Sequence, residues 1–240
     1  MATSRQIRAI FAPVLAEHPD LILHGRWLFR PPVVTALCGL HIGRTSSARV
    51  ADIVLSVVPL SRFLPPAAVG FEIPFIVQDH SLDTSLASGN GLAGTAASRL
   101  QDDILAPDYP VHLLAAFNGT AKPLLDALTT FETIADWLSR FRQQPLRLTA
   151  VERVDAWLAT MHGDFSAGAR HLEVLYSRRL ASGLVGTDQA TLLEREIQGL
   201  LQTADRAAIA AFLHDLARQT VEAHGLGRFW QKAPFPFERG

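Results

Sequence analysis

The sequence predicts an α+β protein in which an N-terminal helix packs on a small antiparallel β-meander and a mainly helical C-terminal half follows. Two observations predict it. Apolar residues recur at every second position between Leu21 and Leu60, and at helical spacing over most of the chain beyond Leu92. Gln143-Gln144-Pro145 is a polar break in the helical stretch, which divides the chain into an α+β domain over 1–145 and a helical region over 146–240.

The first helix is expected to start at a Thr3 or Ser4 cap, with Ile7, Ile10, Phe11, Val14 and Leu15 forming an i, i+3, i+4, i+7, i+8 stripe. Pro13 lies within that stripe and removes one backbone donor, so a bend is expected there. A strand then places Leu21, Leu23, Trp27 and Phe29 on a covered face and His24, Arg26 and Arg30 on a wet one, until Pro31-Pro32 stops it. A second strand, Val33 to Ile42, buries Val34, Ala36, Cys38, Leu40 and Ile42 and turns Thr35 and His41 away. A third, Val50 to Val58, sets Ala51, Ile53, Leu55 and Val57 against Asp52 and Ser56. The short polar run from Gly43 to Ser47 suits a hairpin connection, which makes the simplest product a meander with one solvated face.

Phe71 to Val77, interrupted by Pro74, reads as an edge strand, and Gln78 to Gly94 as a long polar loop suited to gating or binding. Helices are expected over Thr95 to Leu105, ended by Pro107-Asp108-Tyr109-Pro110, and over Lys122 to Leu128 and Thr133 to Arg142; Val111 to Asn118 fits helix or strand. Four more follow: Thr149 to Met161, Ser166 to Ser182, Thr187 to Thr203 and Ala204 to Ala223, the last closed by Gly225 and Gly227. The C-terminal tail from Phe229 to Phe237 holds four aromatic residues without regular period. Burying each is worth on the order of 1.5–3 kcal/mol, so the tail is expected to dock on its own domain or on a partner subunit.

Composition narrows the function. With 240 residues, 48% of them hydrophobic, the chain buries a sizeable core, and a net charge of -1 gives no field to attract nucleic acid or an anionic membrane. No stretch approaches the roughly 18–20 apolar residues of a membrane span, and the first residues lead into an amphipathic helix and not a signal segment. The expected location is cytoplasmic. Only Lys122 and Lys232 are lysines among the 22 basic residues, a bias toward arginine that fits a GC-rich bacterial genome. The single cysteine, Cys38, reads as a packing residue.

Chemical motifs are sparse. Gly89-Asn90-Gly91-Leu92-Ala93-Gly94 has the spacing of a dinucleotide loop but follows a polar stretch where such a loop needs a buried parallel strand. Asp79, His80 and Asp83 lie close together without a second histidine cluster at metal-ligand spacing. The sequence holds no G-x-S-x-G elbow, no C-x-x-C pair and no Walker lysine loop. Met161 to Leu172 resembles the turn and second helix of a tetratricopeptide hairpin, with Gly163-Asp164-Phe165 at the turn. That resemblance covers one hairpin, since a true array repeats every 34 residues and the next turn, near Gln202 to Asp205, lies about 40 residues on.

These features predict a non-enzymatic, bacterial, cytoplasmic protein-interaction or regulatory module of the immunity or adaptor kind. The expected partner is a protein, a second copy of the chain included, with no cofactor, metal, nucleic acid or membrane. The candidate contact surface comprises His24, Arg26, Arg30 and His41 on the polar sheet face, with Asp79 and His80 in the loop. The alternative is an enzyme or small-ligand binder whose pocket lies between sheet and helices, gated by residues 78–94.

Overall fold

The computed structural model describes residues 2–43, 50–51, 53–62, 71–76, 81–82, 102–141, 148–183 and 189–239. The chain divides into two compact units, one of Met1–Val58 with Val69–Thr133 and one of Pro59–Ala68 with Ile134–Gly240. The fold is α+β, with an N-terminal helix packed on an antiparallel meander and a mainly helical C-terminal half.

In the first unit, helix α1 (Ser4–Glu17) opens with a reciprocal cap: Thr3 Oγ1 accepts from the Gln6 amide at 3.2 Å, and Gln6 Oε1 accepts from the Thr3 amide at 2.8 Å. Ile7, Ile10, Phe11 and Val14 share one core with Leu28, Leu40, Ile42, Ile53 and Leu55 of the sheet. The strands are β1 (Ile22–His24), β2 (Trp27–Phe29), β3 (Ala36–Ile42), β4 (Val50–Ala51), β5 (Ile53–Pro59), β6 (Phe71–Ile76), β7 (Ser81–Leu82) and β8 (Asp102–Asp103). The main sheet runs β1-β2-β3-β5-β6-β7, while β4 and β8 form a separate antiparallel pair.

The segment expected as one strand from Leu21 is a hairpin. Gly25-Arg26 is a two-residue turn with Gly25 at φ +60°, and His24 stands opposite Trp27, Leu23 opposite Leu28 and Ile22 opposite Phe29. A glycine with positive φ at the first turn position is what a type II′ hairpin requires. Because a two-residue turn places even-numbered residues opposite odd-numbered ones, Leu28, and not Trp27 or Phe29, joins the core beneath α1. The other face is not wet. Trp27, Phe29 and Leu37 are buried there, and every residue from Ile53 to Pro59 is buried, Ser56 included.

Strand β6 lies between β5 and β7 and is not an edge; its Pro74, which has no amide proton, stands opposite Val54. Of the helix expected over Thr95 to Leu105, only the end is described, and there Asp102–Asp103 is strand and Ile104 and Leu105 are turn. The loop expected from Gln78 to Gly94 and its glycine motif lie outside the described residues apart from β7. Pro107 to Pro110 starts a helix and does not stop one: α2 (Tyr109–Ala116) carries Pro110 in its first turn, where a missing amide proton costs nothing. A π-turn, Phe117–Ala121, joins it to α3 (Lys122–Ala127).

The second unit contains α5 (Leu148–Met161), α6 (Phe165–Ala181), α7 (Gln189–Thr203) and α8 (Arg206–Ala223); the division between units falls within α4 (Phe131–Phe141), which Thr130 caps. Asp164 and Asp205 cap α6 and α8 through their carboxylates. At the α5–α6 turn Gly163 adopts φ +81°, and the amides of Gly163 and Asp164 return to the Thr160 and Ala159 carbonyls, a Schellman closure. Gly168 sets the spacing of these helices, since a Cβ there would lie 2.7 Å from Thr160 Oγ1 and 3.3 Å from the Ala156 carbonyl oxygen. Trp157 Nε1 donates to Ser61 Oγ at 3.2 Å, which ties the 59–62 stretch to α5. The aromatic segment docks on this unit, with Phe235 and Phe237 buried.

Candidate functional site

The residues expected to form a cationic sheet face do not act together. His24, Trp27 and His41 stand in one row across β1, β2 and β3, and the Trp27 and His41 rings lie 4.6 Å apart. Arg26 sits in the hairpin turn, where its guanidinium donates to the carbonyls of Gly43 (2.9 Å), Ile42 (3.2 Å) and Ala2 (3.3 Å). Its work is to close the hairpin against β3. Arg30 lies at the opposite end of β2, about 13 Å along the strand. It meets carboxylates, as a guanidinium at a strand end suits, but they belong to this chain: Nε donates to Asp20 at 2.6 Å and Nη2 to Asp126 at 2.8 Å. Asp79 and His80 lie outside the described residues.

Electrostatics follow from that network. The Arg30 hydrogen bond holds the Asp20 carboxyl below the usual carboxylate range; Lys122 at 2.5 Å, and then Arg30, do the same for Asp126. Beside it the π-turn presents Asn118, whose Oδ1 accepts from His18 Nε2 at 2.7 Å and whose Nδ2 donates to Glu17 at 2.8 Å. These bonds anchor the end of α1 to the α2–α3 helix. Burial pushes the Cys38 thiol up to about 12, which leaves it without a nucleophilic thiolate at neutral pH.

The helical unit holds polar residues that periodicity alone did not bring forward. Glu194 on α7 has a side chain only 3% exposed, and it meets Arg153 of α5 at 2.5 Å and Arg179 of α6 at 3.1 Å. Arg179 also donates to Thr191 at 2.8 Å, and buried Glu152 pairs with Arg178. One carboxylate thus joins three helices. The signal was present in the sequence: Thr191, Glu194, Ile197 and Leu201 occupy one stripe of α7, so two polar residues sit on the face that burial demands.

On the outside of the α6–α7 pair the guanidinium of Arg195 lies 5.6 Å from the Tyr176 ring centroid. The pairing of 176 with 195 and of 179 with 191 makes the two helices antiparallel. Leu180 is four residues beyond Tyr176 and Leu192 three before Arg195, so both stand on this same side one turn further along. Leu180 is 62% exposed and Leu192 56%. An aromatic ring, an arginine and two uncovered leucines form one strip across two helices, the residue mix that concentrates binding energy at protein interfaces.

Among the described residues, no group of three or more His, Cys, Asp or Glu side chains is placed to hold a metal ion, and no helix is long and apolar enough to cross a membrane. Comparison with known proteins found no matching family model, no matching curated protein and no matching solved structure.

Proposed function

We propose that the chain is a non-enzymatic protein-interaction module, bacterial and cytoplasmic, of the adaptor or immunity kind, which meets its partner through the outer side of α6 and α7. The observation that carries this reading is the strip of Tyr176, Arg195, Leu180 and Leu192, whose two leucines are more than half exposed on a rigid pair of helices. The Arg153–Glu194–Arg179 network fixes the helices beneath it, so the strip is presented without ordering cost at the moment of binding. The competing reading, an enzyme or ligand binder using Arg26 and Arg30, finds both guanidiniums bonded to the chain's own carbonyls and carboxylates.

Quantitative capture from bacterial extract with wild-type protein and with L180E/L192E tests the proposal. A protein retained at least tenfold more by wild type, and then reconstituted from purified components, is the expected outcome. Equal capture by both proteins, with both folded by circular dichroism, sinks it.

A further inference from the structure

The helical unit carries a second recognition surface, and one segment of the chain already lies on it. Phe235 stacks on His214 of α8, ring centroids 4.4 Å apart, while Phe237 meets Phe165 at the start of α6 edge-on at 5.3 Å. The two phenylalanine rings lie 5.8 Å apart and nearly parallel. Polar bonds fix the direction of the segment: Arg206 donates to the Phe237 carbonyl at 3.3 Å, and His214 Nε2 donates to Glu238 Oε2 at 3.0 Å. That same carboxylate oxygen accepts the Phe235 amide at 2.7 Å, which closes the segment into a compact turn. Gly163 permits the approach, since a Cβ there would stand 3.4 Å from Phe237 Cβ.

These contacts are those of a short peptide on a receptor: two rings two residues apart, a captured carbonyl and a terminal carboxylate contact. Gln231 to Pro234, which join the segment to the rest of the unit, have no helix or strand, and Gln231, Lys232 and Pro234 are exposed. Proline at 234 and 236 limits the conformations the free segment samples, so little order is lost on docking. The site lies near the start of α6, about 20 Å along the helix from Leu180, and is independent of the strip proposed above.

We propose that the surface formed by Phe165, Arg206 and His214 is a recognition site for a peptide of the form aromatic-Pro-aromatic-acidic, that residues 235–238 fill it as a ligand in cis, and that a separate partner carrying this chemistry binds by displacing them. A fluorescein-labelled peptide of residues 233–239 and the full-length chain test it by anisotropy. The full-length F235A/F237A variant binds the peptide saturably and at least tenfold more tightly than wild type, whose site is filled, and adding H214A removes the binding. A folded F235A/F237A chain with no saturable binding overturns the proposal. Should that variant fail to fold, K232C labelled with a fluorophore reports on otherwise wild-type protein: excess unlabelled peptide increases the label's mobility, and an unchanged signal overturns the displacement. Dimers that the peptide dissolves assign the site to a second copy and overturn the separate partner.

Discussion

Arg153 on α5 donates to Glu194 on α7 at 2.5 Å, and the carboxylate it meets is shielded from water on a helix face otherwise lined by apolar residues. Removing one partner of a buried pair leaves charge without compensation, whereas removing all partners does not. E194A leaves Arg153 and Arg179 facing each other and is expected to cost about 3–5 kcal/mol by urea denaturation. R153M/R179M/E194L should recover most of that loss. A cost of E194A below about 1 kcal/mol would show that the network contributes nothing to stability.

Gly168 sets two opposing effects against each other. Alanine gains about 1 kcal/mol of helix propensity over glycine. Its methyl group would lie 2.7 Å from Thr160 Oγ1, which is held by its bond to the Ala156 carbonyl, and 3.1 Å from Leu201 Cδ1. Overpacking of this kind costs about 1–3 kcal/mol, so G168A is expected to be destabilising on balance. T160A/G168A should regain part of the loss as a measurable coupling between the two positions; a stabilised G168A would mean that the helices separate at no cost.

Arg30 predicts an acid-dependent effect. Asp20 and Asp126 are held below the ordinary aspartate range in the folded protein, so their contribution is complete above the unfolded value near pH 4 and disappears as pH falls through the lower folded values. The groups are partly solvated, and R30M should therefore cost only about 0.5–1 kcal/mol at pH 7. Denaturation midpoints of wild type and R30M are expected to differ at pH 7 and to converge near pH 3. A difference that persists at pH 3 would assign the effect to packing of the arginine stem.

The helical elements were legible because their signals are local. Thr3 and Gln6 form the reciprocal cap, Asp164 and Asp205 cap where the apolar stripes begin, and periodicity placed α5 to α8 within a few residues. The hairpin at Gly25-Arg26 was not, because Leu21, Leu23, Trp27 and Phe29 keep odd-numbered spacing straight through the turn and imitate one strand. That same turn reverses which parity faces the core, which is why the expected polar face divided into a histidine row and two arginines bonded elsewhere. Ser56 misled for a related reason: a small hydroxyl on a fully buried strand looks like a solvent-facing residue when only alternation is read. Of the candidate sites, the Tyr176 and Leu180 strip has no sequence signature, since exposed leucines on an amphipathic helix differ from buried ones only in three dimensions.

The wide turn at Phe117–Ala121 also has a consequence for how this chain can change in length. Each residue of an α-helix advances the rotation by about 100°, so deleting Gly119, which is exposed, would spin everything after it by that angle. Leu125 would swing out of its apolar surroundings and Asp126 away from Arg30. The π-turn acts as a phase shifter between two helical stretches, and insertions or deletions there are tolerated only when they bring the later stretch back to the same angle.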